Sequence, residues 1–244
     1  MAIPFVVLCS GLPRSGSTWS FSVCRLLMQT LRGGGNVECG YHEGANADRY
    51  VRRSCKSSKA YLIKLHFPTA AMIRFVSEKR VRNVYTVRHP LAAVASYREK
   101  FGGTIEDIAT RMRRSLTAAD RWSADGGTLR VEFDDIVNQP RQQILGIAMY
   151  LGFAGVSEEL LESIDNETCL QTVRQRTALM AEDSGEWKQF NGSSYDPTTL
   201  YHANHAPKAN RRAWQDELSD AEQAVARAIL GPWLGPYGIQ QERG

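Results

Sequence analysis

Four short runs of the chain are almost wholly apolar and β-branched: FVVLC, AYLIKL, RNVYTV and TLRVEF. They predict strands near 3–9, 60–65, 82–87 and 128–133. Between and after them, apolar positions recur at helical spacing over 17–31, 68–79, 90–101, 104–122, 140–151, 157–164 and 218–230. Asn138 and Pro140 suit the start of the helix near 140, and Gly152 suits its end. Strands that alternate with helices imply a mainly parallel sheet with right-handed crossovers. The fold class expected is therefore α/β, a single domain over 1–244. Its helices should flank a central parallel sheet in a three-layer sandwich. Residues 32–59 and 181–216 carry neither period and read as long polar connections, suited to binding an acceptor or covering a cofactor.

Length and composition narrow the setting. A chain of 244 residues is long enough for a large core in one domain. No apolar run approaches the roughly 18 residues that a membrane span needs. MAIPFVVLC lacks the basic start and cleavage site of a signal peptide and reads as the first strand. The five cysteines (9, 24, 39, 55 and 169) are scattered and form no CxxC, as expected of reduced thiols in a cytoplasmic protein. They share no ligand-like spacing with the histidines, so no metal site is expected.

The net charge of +4 is unevenly placed. Residues 71–121 hold 11 Lys/Arg against 5 Asp/Glu, whereas 131–186 hold 3 against 11. A basic middle suits a polyanionic cofactor or, equally, nucleic acid. Arg111, Arg113 and Arg114 read as the wet face of a helix, and no nucleic-acid or membrane partner is expected.

Candidate chemistry begins after the first strand. FVVLCSGLPRSGSTW breaks from an apolar run into a Gly/Ser-rich loop, with the spacing Gly11-x-x-x-x-Gly16-Ser17-Thr18. This is a phosphate-cradling P-loop in which Ser17 stands where a triphosphate enzyme carries lysine. Small residues and a helix N-terminus still suit an anion, and Arg14 adds a fixed charge. A ligand-free strand-to-helix turn is the alternative for the loop alone. A second strand ends at Arg88, followed by His89-Pro90 and, eight residues after Arg88, Ser96. Guanidinium and hydroxyl together can close on one further phosphate. In the run KLHFP, Lys64 and His66 are two apart on a strand and so share a face.

These pieces, in this order, resemble the sulfotransferases that use 3′-phosphoadenosine 5′-phosphosulfate. GLPRSGSTW is similar to the family's 5′-phosphosulfate loop, Arg88 and Ser96 to its 3′-phosphate pair, and KLHFP to a segment of the cytosolic branch. The resemblance extends through LRVEFDDIVNQPRQQILGIAMYLGF and, faintly, NHAPKANRRAWQDELS. It implies a P-loop-like fold and a metal-independent transfer of the sulfuryl group to an acceptor hydroxyl, less readily an amine, of a small molecule.

The resemblance also distributes roles. Arg14, Ser15, Gly16, Ser17 and Thr18 hold the 5′-phosphosulfate, Trp19 and Phe133 lie beside the adenine, and Lys208 covers the 3′-phosphate with Arg211 and Arg212 nearby. His66 is the general base, with Lys64 and Arg14 stabilising charge on the bridging oxygen and the departing 3′,5′-bisphosphate. Glu43, in GYHEG, is the alternative base, because branches with PRSGS commonly use a glutamate after the first helix. Two other readings stay open: a small P-loop kinase, disfavoured by Ser17, and a non-catalytic nucleotide-binding protein of the same fold, disfavoured by Lys64 and His66.

Overall fold

The computed structural model describes residues 5–31, 37–54, 56–57, 59–78, 81–124, 127–180, 187–190, 193–203 and 213–238. Five parallel strands form the central sheet: β1 (Phe5–Gly11), β2 (Val37–Tyr41), β3 (Ala60–Lys64), β4 (Arg82–Val87) and β5 (Thr128–Glu132). Their order is β2-β3-β1-β4-β5. The helices are α1 (Ser17–Leu31), α2 (Gly44–Ser54), α3 (Ala70–Ser77), α4 (Pro90–Phe101), α5 (Ile105–Ala124) and α6 (Phe133–Asn138). They continue as α7 (Pro140–Leu151), α8 (Glu158–Thr168), α9 (Leu170–Leu179), α10 (Trp214–Glu217) and α11 (Asp220–Leu230). A small antiparallel hairpin, β6 (Lys188–Phe190) and β7 (Ser193–Tyr195), precedes α10.

The near-continuous apolar strands are explained by burial on both faces. Val6, Leu8, Tyr61, Ile63, Tyr85 and Val87 point to one face and pack against α2, α3, α4, α5 and α11. Their alternate neighbours Val7, Cys9, Leu62 and Val84 point to the other, against α1, α7 and α8. The period of two thus divides one set of strands between two cores. Among the described residues, no helix is long and apolar enough to cross a membrane.

Three expectations need correction. Residues 37–54, read as part of a polar connection, form β2 and α2. β2 (VECGY) is an edge strand with four half-buried residues and one exposed, so it lacks the apolar run of the inner strands. α2 buries only Ala47, Val51 and Ser54, a stripe too narrow to stand out from its charged residues. Likewise 187–190 and 193–203 contain the hairpin rather than plain connection. The strand expected over 128–133 stops at Glu132, and Phe133 opens α6.

The strand order places the candidate residues. The chain runs from β1 to β2 and β3 on one side, then crosses to β4 and β5 on the other. The carboxyl end of β1 therefore lies at the topological switch point, where open α/β sheets bind ligands.

Candidate active site

The loop after β1 is shaped by two glycines and one serine. A Cβ on Gly11 would lie 2.2 Å from Thr86 Oγ1 and 2.9 Å from Thr86 O, so only glycine lets β1 and β4 close up here. Gly16 has φ +93°, a left-handed backbone that favours glycine, and a Cβ there would also meet Ile136 at 2.9 Å. Ser15 is buried, with its hydroxyl 2.6 Å from Leu12 O, 2.9 Å from Thr86 O and 2.7 Å from Thr86 Oγ1. Its amide donates to Leu12 O at 3.1 Å. Ser15 thus closes the turn from inside and ties it to β4. The first turn of α1, starting at Ser17, follows directly; such a turn leaves N–H groups without intrahelical acceptors.

Arg14 also has a positive φ, 69°, uncommon for a residue with a Cβ. Its Nε donates to Ser96 Oγ on α4 at 3.1 Å, across 82 residues of chain. Arg88, just past β4, donates from Nη1 to Arg14 O at 3.5 Å and lies 4.2 Å over the Phe133 ring. The structure therefore brings Arg14, Arg88, Ser96 and Phe133 to one cluster beside Gly16, whose built Cβ would be 3.5 Å from Phe133. Trp19 is partly buried on the α1 side of the sheet. Lys208, with Arg211 and Arg212, lies outside the described residues.

On the other side of β1, Lys64 ends β3 and is buried, donating from Nζ to Thr18 Oγ1 at 2.8 Å. Burial, and then the charge of Arg14, lower its pKa to about 8. His66 lies past the end of β3, so its direction comes from a hydrogen bond rather than from strand alternation. Its Nδ1 is 2.9 Å from Gly11 O. A carbonyl can only accept, so Nδ1 carries the proton and Nε2 keeps the lone pair. Burial first, then Lys64 and Arg14, pull the His66 pKa down to about 3. The imidazole is neutral at ordinary pH.

Glu43 sits at the junction of β2 and α2, not within an irregular loop. Its Oε1 accepts from Tyr41 OH at 2.7 Å and from the His66 amide at 2.8 Å, and Oε2 accepts from the Phe67 amide at 3.2 Å. Burial raises its pKa against these bonds. The two rival bases are thus neighbours, joined through the His66 backbone and not through its ring.

No protein-family model matches the sequence, and no curated protein resembles it significantly. Solved structures do resemble its fold. A retinol dehydratase bound to retinol and PAP superposes with TM-score 0.63 at 16% identity, covering 100% of this chain and 84% of that one. The mouse sulfotransferase SULT7A1 bound to PAP gives 0.63 at 12% identity, covering 95% and 85%. Retinol dehydratase with androsterone and the inactive cofactor PAP gives 0.60 at 14%, covering 100% and 83%. The chain has a sulfotransferase fold.

Within this sulfotransferase fold, two basic residues near the cluster escaped the sequence. Lys100 lies one helical turn after Ser96 on α4, and its Nζ donates to Ala203 O at 3.0 Å. Burial and Arg14 lower its pKa to about 8. His202 follows the hairpin and faces the Tyr195 ring at 5.6 Å. Its pKa falls to about 4, through burial and then the charges of Lys64, Lys100 and Arg14. The four-residue step from Ser96 was a usable signal for Lys100. Nothing local marks His202, which arrives from a distant connection.

Proposed function

We propose that the chain is a sulfotransferase that moves the sulfuryl group of 3′-phosphoadenosine 5′-phosphosulfate to a hydroxyl of a small acceptor. The observation that carries this reading is the gathering of cations at the end of β1. Burial and then the charge of Arg14 depress both Lys64 and Lys100, and burial followed by Lys64 and Arg14 depresses His66, so Arg14 lies within electrostatic reach of all three. Like charges held together at a helix N-terminus are a site built for an anion. The fold and its PAP-bound likenesses support a nucleotide bisphosphate as that anion.

The chain's residues fit the cofactor in two places. Arg14, Lys64 and the first turn of α1 face one phosphate position, and Arg88 with Ser96 would hold a second. When bound, the cofactor supplies an activated sulfuryl group and a bisphosphate leaving group. Lys64 and Arg14 supply positive charge where negative charge grows, with no reorganisation needed at the moment of reaction. His66 Nε2 receives the acceptor's hydroxyl proton, while Gly11 O keeps the ring in the required tautomer. Glu43 fastens the His66–Phe67 turn in place, as a positioning residue.

The test is transfer of labelled sulfate from the cofactor to phenols, alcohols, sugars and amines, read by mass spectrometry. Turnover without Mg²⁺ or ATP is expected. Product formed only from ATP with Mg²⁺ would replace this reading with a kinase.

A further inference from the structure

A cavity of about 450 Å³ opens next to Phe67, the chain neighbour of the candidate base, lined by Glu43, Gly44, Phe67, Pro68, Thr69, Arg111 and Arg114. It adjoins a second cavity of about 260 Å³, which shares Pro68 and Arg114 and adds Arg113 and Arg121. The four arginines come from one helix, α5, within 11 residues. Among the described residues, no carboxylate forms an ion pair with any of them. A solvated helix face normally intersperses both signs of charge. Four like charges gathered at a concave surface instead create a local positive potential that concentrates anions.

The walls of the cavity differ in character. Arg111 and Arg114 form the basic side, and the Arg114 guanidinium lies 5.9 Å from the Phe67 ring. Guanidinium groups match carboxylate, sulfate and phosphate oxygens with paired N–H bonds. Phe67 offers an aromatic face for an apolar body. Glu43 lies on the acidic side, and its carboxylate accepts the amide protons of His66 and Phe67. An anionic group is repelled by that end and drawn to the arginines. The opposite end of the same molecule is thereby left at Glu43 and the His66–Phe67 turn that it holds.

We infer that the acceptor is a hydroxylated organic acid, whose anionic group is held by Arg111 and Arg114 while its body rests on Phe67. This rests on the sulfotransferase reading and adds the class of acceptor to it. The arginines, which the sequence alone presents as a wet helix face, become specificity residues.

The experiment uses pairs that differ in one anionic group: para-hydroxyphenylacetate and its amide, para-hydroxybenzenesulfonate and its sulfonamide, glycerol phosphate and glycerol. Each is titrated into the full chain saturated with adenosine 3′,5′-bisphosphate, and each is offered for sulfate transfer. At least one acid should bind about ten- to a hundredfold more tightly than its neutral partner, the range expected for charge-assisted bonds. Arg111→Gln with Arg114→Gln should erase that preference without changing bisphosphate affinity, and the corresponding lysine pair should restore part of it. Equal binding within all three pairs, or a preference that survives the glutamine pair, overturns the inference. The pairs also separate the oxyanions, because only the favoured one shows a charge-dependent gain. Failure of the bisphosphate itself to bind, read in the same titrations, would instead overturn the sulfotransferase reading.

Discussion

On the β4 side of β1 the candidate site is made by two contiguous strand–turn–helix segments, Gly11–Thr18 and Val87–Ser96, with the Phe133 ring set under Arg88 from α6. On the β3 side two further pieces of chain, Tyr41–Glu43 and Lys64–Phe67, are joined to that same first loop. The first side is held by backbone geometry and by contacts from the loop to β4 and α4, such as Ser15 on Thr86 and Arg14 on Ser96. The second depends on side chains that reach across: Lys64 to Thr18, His66 to Gly11, and Glu43 to the His66–Phe67 turn. An anion site can be built locally because helix N-termini and glycine turns are local structures. A proton-transfer site needs one nitrogen aimed correctly, and that aim comes from several elements at once. The two sides should therefore respond differently to mutation, the first in cofactor affinity and the second in rate.

The largest effect is expected at His66. His66→Ala should lower single-turnover sulfate transfer by about 10²- to 10⁴-fold, the usual range for a general base, with bisphosphate affinity nearly unchanged. Glu43→Ala should lower the rate less, and should also lower the Tm. It leaves the part-buried amides of His66 and Phe67 without that acceptor, at up to about 1–3 kcal/mol for each group that stays unsatisfied. If Glu43→Ala abolishes transfer while His66→Ala barely alters it, the base is Glu43, and only the β3 side of the site changes its reading.

Arg88 tests the opposite side. Arg88→Ala should weaken adenosine 3′,5′-bisphosphate by about ten- to a hundredfold, while adenosine 5′-phosphate loses far less. Calorimetry on both nucleotides measures the difference. Equal affinity of the unmodified protein for the two would remove the second phosphate position from the β4 side.

The smallest effect is a proton. Lys64 is depressed to about 8 by burial and by Arg14, and an anion bound beside it favours the charged form and raises that value. Between the free and the raised pKa the complex holds more protons than the free protein. Bisphosphate affinity should then fall as pH rises through about 8, by at most tenfold per pH unit for one such group. Calorimetry in buffers of different ionisation enthalpy should show fractional proton uptake near this pH. Lys64→Met should reduce it and should lower turnover more than affinity. Uptake unchanged in that variant would move the titration to Lys100, which is depressed to a similar value.

The sequence alone determined the inner strands, the main helices and the phosphate-loop spacing, because each is recorded in neighbouring residues. Short, nearly continuous apolar runs marked β1, β3 and β4, and their order with Arg14, Arg88 and Ser96 pointed to an anion at the strand ends. β2 and α2 stayed hidden, since an edge strand with no apolar run and a helix with one narrow buried stripe leave little pattern. With them stayed hidden the setting of Glu43. Only the tertiary structure put Glu43 under the His66–Phe67 turn, set the tautomer of His66 through Gly11 O, brought Lys100 and His202 toward Arg14, and turned the arginines of α5 into the wall of a cavity. These depend on which strand ends meet and which helices flank them. Such contacts join residues tens of positions apart, and apart from the helical step from Ser96 to Lys100 one sequence carries no local trace of them.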